Sequence, residues 1–152
     1  MKRDRNAVRA VVDANVWVSA LINPQGAGAQ LMEAARRGQF TVVCSRPVPS
    51  ELETVLQRPR VARLCGMTRA DVAATARYLR NLSYWVTVTG EHDVCRDPQD
   101  NKVIETAIRG RAPIIVSKDS DLLDPALREP LAAHGIRVLT DEEFLATLRR
   151  QV

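Results

Sequence analysis

Two short apolar runs, each followed by an aspartate, most constrain the fold of this chain. The first covers residues 8–12 and is followed directly by Asp13, and the second covers Ile114–Val116 and is followed by Asp119 after two intervening residues. Runs of this length rich in Val and Ile are typical of strands buried on both faces of a parallel sheet. Weaker strand patterns occur at residues 40–44, 85–88 and 136–139.

Helical patterns separate the strand candidates. Thr68 and Thr140 are each followed three residues later by an acid, the arrangement of a capping box, and predict helices to about residues 82 and 150. Strands that alternate with helices indicate an α/β fold, which we predict to be a three-layer sandwich with a central parallel sheet flanked by helices. We find no repeat or long linker, so residues 1–152 are predicted to form a single domain.

Composition narrows the class of protein. No apolar run approaches the roughly 20 residues that span a membrane, and the charged start of the chain does not resemble a secretory signal. The three cysteines form no C-x-x-C pair, so zinc and disulfide roles are not expected. We therefore predict a cytoplasmic protein without a membrane partner. The net charge is +4, with 19 Arg against 3 Lys, which favours a nucleic-acid or acidic protein partner but is equally explained by codon usage.

Asp100 lies on a helix face that should be buried. Asp97 and Pro98 predict an N-cap and a first helical position, and the helix is expected to end near Gly110. Asp100 begins the apolar stripe of that helix, which continues through Val103, Ile104, Ala107 and Ile108. A carboxylate in line with a core must be neutralised or open into a cleft with a counter-charge. Asp97 is expected to cap the helix first and to support the metal ligands second. Two simpler interpretations remain, that Asp97 is only a cap and that Asp100 only complements the helix dipole.

Three further acids complete the candidate site. Glu51 has apolar residues three positions before and four positions after it, which predicts a place on a core-facing stripe. Asp13 and Asp119 each follow the carboxyl end of an apolar strand. In open parallel sheets the ligand crevice lies outside these strand ends, and helix N-termini that follow strands point to the same edge. The four acids are therefore predicted to converge, although Asp119 and Asp121 are also consistent with ordinary loop acids.

A cluster of four carboxylates requires a cation, because the negative charges otherwise repel one another. Oxygen ligands without a partnering His or Cys select a hard metal, Mg²⁺ or Mn²⁺. Such a metal leaves positions for phosphate oxygens and activates a water, which suits phosphodiester hydrolysis. Other chemistries are poorly supplied, because the two histidines lie in polar surroundings and neither a G-x-S-x-G elbow nor a P-loop is present.

Four segments resemble the motifs of PIN domains. Residues 11–16, V-V-D-A-N-V, resemble the first strand and its D-x-N motif, and S-E-L at residues 50–52 is similar to the second acidic motif. R-D-P-Q-D-N-K at residues 96–102 and S-K-D-S-D-L-L at residues 117–123 resemble the third and fourth. The last two are the most specific, and they resemble the branch that contains toxins of toxin–antitoxin pairs. The resemblance extends from about residue 10 to residue 148.

The resemblance implies a parallel sheet flanked by helices, Mg²⁺- or Mn²⁺-dependent endoribonuclease activity, a cognate antitoxin and a homodimer. It assigns metal binding to the acids at the four motifs, with an auxiliary acid and two orienting side chains: Asp13, Glu51, Asp100 and Asp119, then Asp121, then Asn15 and Ser117. Two residues depart from the family pattern. Ala14 stands where many members have Thr, and Lys118 stands where Gly is common. Lys118 either holds a phosphate or pairs with an acid.

Two other functions are alternatives to the ribonuclease hypothesis. One is a PIN-fold module that binds RNA or a protein without cutting, which the retention of all four acids disfavours. The other is a phosphoryl-transfer or receiver-type enzyme, which would use Lys118 but has no place for the helix-borne acids. For RNA contacts we expect Arg77 and Arg80, which share one side of a helix, unless that side is simply solvated. The next candidates lie near the carboxylates: Lys118, Arg96 and Lys102.

Overall fold

The computed structural model describes residues 7–150, in which five parallel strands form one sheet. The strands are β1 (Arg9–Val12), β2 (Thr41–Cys44), β3 (Tyr84–Trp85), β4 (Ile114–Val116) and β5 (Arg137–Leu139). Their order across the sheet is β3-β2-β1-β4-β5. The two apolar runs singled out in the sequence are thus the adjacent strands β1 and β4 at the centre.

Helices begin at both predicted capping boxes. At Thr68 and at Thr140 the side chain accepts from the backbone N–H three residues on, and the acid there accepts from the threonine N–H. A short 3₁₀ helix covers Pro125–Leu127. The α-helices are α1 (Ala14–Ile22), α2 (Ala27–Arg36), α3 (Pro47–Leu56), α4 (Pro59–Cys65), α5 (Arg69–Leu82), α6 (Pro98–Arg109), α7 (Arg128–Ala132) and α8 (Asp141–Arg150).

The core lies on both faces of the sheet. Alternate residues of a strand point to opposite faces, so Ala10 and Val12 of β1 pack against a cluster that includes α1, α2, α3, α5 and α8. Val11 between them and Ile115 of β4 pack on the other face, against residues of α6 and α7. This arrangement of helices, sheet and helices confirms the predicted three-layer α/β sandwich.

The edge strand β3 is shorter than predicted and begins one residue earlier. The pattern indicated residues 85–88, whereas only Tyr84 and Trp85 pair with β2. The Val86 N–H still donates to the Cys44 carbonyl at 2.9 Å. Beyond it the chain turns toward α6, where the N–H groups of Thr89 and Gly90 donate to the buried carboxylate of Glu105. The Glu105 carboxylate on α6 therefore accepts the backbone hydrogen bonds that carbonyl groups of β2 would otherwise have accepted.

Within residues 7–150, no helix combines the length and apolar character needed to cross a bilayer.

Candidate metal centre

The carboxylate of Asp13 is held in a fixed orientation at the end of β1. One oxygen accepts from the N–H of Ala14 at 2.9 Å, since Asp13 is the N-cap of α1, and the other accepts from the Ser117 hydroxyl at 2.9 Å. The side chain is buried, and burial raises its pKa despite these two hydrogen bonds, with Asp119 adding to the effect. Ser117 follows β4, so the pairing of β1 with β4 brings the two residues together.

The segment after β4 is shaped by short hydrogen bonds. The Ser117 hydroxyl accepts from the Asp119 N–H at 3.0 Å, and Asp119 Oδ1 accepts from the Asp121 N–H at 2.9 Å. Asn15 Oδ1 accepts from the Lys118 N–H at 3.3 Å. Ser117 therefore orients a carboxylate directly, while Asn15 contacts the backbone beside one.

Asp100 is the most perturbed acid of the cluster. It lies in the first turn of α6, is 5% exposed, and its Oδ2 has no hydrogen-bond partner among residues 7–150. Its pKa is raised to about 7, chiefly by burial and then by the neighbouring charges of Asp119, Asp97 and Asp13. A buried carboxylate without a partner is costly, and a bound cation is one way to remove that cost.

The expectation that Glu51 shares a buried stripe with its apolar neighbours was wrong. Val48, Leu52 and Leu56 are buried, whereas Glu51 is exposed, because its position on α3 falls at the margin of that stripe. Its pKa is still raised, first by desolvation and then by the charge of Asp13, with Arg58 opposing the shift. Glu51 therefore contributes to the cluster from its solvent side.

The predicted acids meet in one cavity of about 160 Å³. Its lining includes all four carboxylates expected from the sequence, and it also includes Asp97. The complete lining is Asp13, Asn15, Glu51, Asp97, Gln99, Asp100, Val103 and Asp119. The structure thus brings together acids that are up to 106 positions apart, from 13 to 119.

Asp97 has a larger part in this cluster than its capping role indicates. It does cap α6, since its Oδ1 accepts from the Gln99 N–H at 2.9 Å. In addition, Asp97, Asp100 and Asp121 each offer one carboxylate oxygen, and these oxygens lie within 4.8 Å of one another. The sequence indicated a cap first and a supporting role beside the metal ligands second, but not the proximity to Asp121, because the position of Asp121 relative to α6 depends on the fold of the loop after β4.

The donor set fits a hard divalent cation. All groups that line the cavity and can bind a metal are oxygen donors, and the oxygen of Asp100 that has no partner is buried among them. Carboxylate-rich sites of this kind bind Mg²⁺ or Mn²⁺. A bound cation would also favour the ionised form of Asp100, whose pKa is otherwise raised.

Lys118 points away from the carboxylate cavity. Its Nζ donates to the Ser19 hydroxyl at 3.1 Å and lies 3.6 Å from the buried Asp141 carboxylate. Of the two expected roles, pairing with an acid is therefore the one seen, and Asp141 does not line the carboxylate cavity. A receiver-type site, in which this lysine would face the strand-end acids, loses its main support.

The other predicted RNA contacts are dispersed. Lys102 lines a second cavity next to the carboxylates, and Arg80 lies over the ring of Trp85, with 5.6 Å between the guanidinium carbon and the ring centroid. Arg77 and Arg96 are exposed and line neither cavity. The residues that the sequence missed are those of the second cavity, about 800 Å³ in volume, where Arg46, Arg58 and Trp85 join Lys102.

Two side chains of α6 that were not predicted as functional fix the loop before it. The side-chain amide of Asn101 accepts from the N–H groups of Val94 and Cys95 and donates to the Cys95 carbonyl. Glu105 holds Thr89 and Gly90 and also pairs with Arg109 at 2.7 Å. We call these contacts of Asn101 and Glu105 the clamp. In the sequence only Asn101 stood out, because it lies within the third motif.

Comparison with known proteins gives two findings. The sequence pattern of the PIN domain family matches residues 9–121, a range that contains all four carboxylates of the predicted set. An uncharacterized protein of Methanocaldococcus jannaschii is 27% identical over 149 residues, which cover 95% of this chain and 94% of that protein.

Proposed function

Because the chain belongs to the PIN domain family, whose members are generally metal-dependent nucleases, we propose that it is an endoribonuclease. It hydrolyses phosphodiester bonds of RNA with Mg²⁺ or Mn²⁺ as cofactor. In this proposal residues 1–152 act as one nuclease domain in the cytoplasm. The observation that carries the proposal is the buried oxygen of Asp100, which has no hydrogen-bond partner within residues 7–150 and lies in a cavity lined by three other predicted acids.

The metal is assigned to Asp13, Glu51, Asp100 and Asp119, with Asp121 as an auxiliary acid. When bound, the cation supplies an activated water and stabilises charge on the phosphate. Asp13 is oriented in advance by the Ala14 N–H and the Ser117 hydroxyl. Such pre-orientation matters because a misplaced ligand weakens both metal binding and catalysis.

Asp97 and Glu51 have distinct positions in this mechanism. Asp97 lies beside Asp100 and Asp121, and its carboxylate adds negative charge that favours binding of the cation. Glu51 lines both the carboxylate cavity and the larger neighbouring one. It therefore lies where the two cavities meet, at the point where a substrate backbone would reach the carboxylates.

The test is cleavage of end-labelled single-stranded RNA by the purified full chain. Activity should require Mg²⁺ or Mn²⁺ and stop with EDTA, and Asp13→Asn or Asp119→Asn should lower the rate by orders of magnitude. Asp124→Asn is the matched control, because this acid follows β4 in the same loop but only caps the 3₁₀ helix. Cleavage that survives EDTA would contradict the proposal, and metal-dependent RNA binding without cleavage would favour the binding module.

We also propose that the nuclease is the toxin of a toxin–antitoxin pair, acts as a homodimer, and is inhibited by a cognate antitoxin protein. The support is the form of the third and fourth motifs, D-P-x-D-N and S-x-D-x-D-L-L. Expression of the wild-type chain should arrest growth, Asp119→Asn should not, and the product of the adjacent gene should restore growth. Unimpaired growth with active enzyme in the cell would refute the toxin role and leave the nuclease intact.

A further inference from the structure

The larger cavity is a groove that continues the carboxylate cavity. Both are lined by Glu51 of α3 and Gln99 of α6, so the two spaces are contiguous. One wall of the groove is formed by Trp85 and the three residues after it, and the other by α3 and α6. Its volume of about 800 Å³ lies in the upper part of the range of roughly 300–1,000 Å³ for small-molecule sites.

The groove has the opposite charge to the cavity beside it. Three cations line it, Arg46, Arg58 and Lys102, against the single acid Glu51. Within residues 7–150 none of these three cationic side chains forms a hydrogen bond or an ion pair, whereas Arg36, Arg37 and Arg109 are paired with glutamates. Cations that line a concave surface and form no ion pair are suited to bind phosphates.

Trp85 adds an aromatic surface to this basic groove. It is 39% exposed on the edge strand, although tryptophan usually buries most of its area. The guanidinium of Arg80 lies over its ring, a contact of the cation–π type. Trp17, by contrast, is buried and donates its indole N–H to the Val12 carbonyl.

We propose that this groove binds single-stranded RNA, with one base stacked on Trp85 and the backbone phosphates held by Arg46, Arg58 and Lys102. Stacking on a side chain needs an unpaired base, and the phosphate chain then leads along Glu51 to the carboxylates. This inference rests on the proposed nuclease function and extends it, because it names the residues outside the carboxylate cavity that hold the substrate strand.

The test measures binding of single-stranded decauridine RNA to the full chain in an Asp119→Asn background with Mg²⁺, so that the oligonucleotide stays intact. Trp85→Leu should weaken binding by about five- to 150-fold, the range for loss of one stacked base. Trp85→Phe should keep most of the affinity. In the Asp119→Asn protein that retains Trp85, decauridine should also quench the indole fluorescence, because Trp17 is buried and Trp85 is exposed.

Three controls separate stacking from general charge effects. Tyr84→Leu, on the same strand but outside the groove, should leave binding unchanged. An abasic ribose-phosphate decamer should bind equally well to the protein with Trp85 and to the Trp85→Leu variant, since no base is left to stack. Combined replacement of the three cations by Ala should reduce the salt slope by about 2, at roughly 0.7 per phosphate contact.

The outcomes distinguish this inference from the proposed function. Decauridine affinity unchanged by Trp85→Leu, no quenching, or equally tight binding of a matched RNA duplex would overturn the groove assignment even if cleavage is metal-dependent. Absence of metal-dependent cleavage by the wild-type chain, together with Trp85-dependent binding, would instead overturn the nuclease and leave a single-strand RNA-binding groove.

Discussion

Asp100 carries a carboxylate whose ionisation opposes folding, so Asp100→Asn should stabilise the metal-free protein at neutral pH. Burial and the charges of Asp119, Asp97 and Asp13 raise its pKa from 3.8 to about 7. At pH values between these two pKa values the native state binds more protons than the unfolded state. The free energy of unfolding therefore falls as the pH rises from about 4 to about 7, and it stays at this lower level above pH 7. At about 1.4 kcal/mol per pH unit, the full difference corresponds to roughly 4 kcal/mol.

The expected gain is smaller than this full value. Water that enters the open side of the cleft screens the charges, and the remaining carboxylates still repel one another, so we expect Asp100→Asn to recover about 2 kcal/mol at pH 8. For a chain of this length that raises the melting temperature by about 4–8 °C. At pH 3 and below, where the wild-type carboxyl is protonated in both states, the variant should show no gain.

Thermal unfolding in EDTA at a series of pH values measures this effect. Glu33 and Glu105 do not obscure it, because their pKa values are lowered to about 2 and their contribution is lost only as the pH falls below about 4.5. The pKa values of Asp13 and Glu51 are raised as well, so the effect of Asp100 is read from the difference between the variant and the wild type. Glu53→Gln is the control, since it removes a carboxylate from α3 outside the carboxylate cavity. Millimolar Mn²⁺ should raise the melting temperature of the wild type more than that of Asp100→Asn. Identical pH profiles in EDTA for the wild type and Asp100→Asn would refute the reasoning.

Three further predictions concern other parts of the molecule. Glu105→Gln should cost about 2–4 kcal/mol in urea unfolding, because two backbone N–H groups and an arginine lose a buried charged partner. Gly110→Ala should cost about 1–3 kcal/mol in the same measurement, because the added Cβ would overlap Val43. In RNA-binding titrations Arg80→Ala should weaken affinity more than Arg77→Ala, since only Arg80 contacts the groove through Trp85; equal effects would favour a binding face on α5.

The positions of two acids could be predicted from the sequence because strand ends are strongly constrained. Apolar runs long enough to be buried strands fixed β1 and β4, and the acid after each one had to lie at the carboxyl edge of the sheet. The first turn of α6 could be placed as well, since a cap and a proline mark its start. The periodicity argument was weaker for Glu51, because one helical position covers about 100° and a residue at the margin of a stripe is either buried or exposed.

The groove could not be predicted, because it depends on contacts between distant segments. Arg46 and Arg58 lie in the segment that contains α3 and face a loop whose course is set by Glu105 on α6. The strand pattern at residues 85–88 indicated a continuous edge strand, and such a strand would not have left β2 to form the groove wall. Which basic residues gather there follows from tertiary contacts, while the helical pattern identified only that Arg77 and Arg80 share a side.

The clamp formed by Asn101 and Glu105 has a consequence for amide hydrogen exchange. Loop amides usually exchange quickly, but the N–H groups of Val94 and Cys95 donate to Asn101, and those of Thr89 and Gly90 donate to Glu105. These amides should exchange slowly and together with α6, because all of their acceptors are on that helix. Opening of α6 would then release the groove wall and displace Asp100 in one cooperative event.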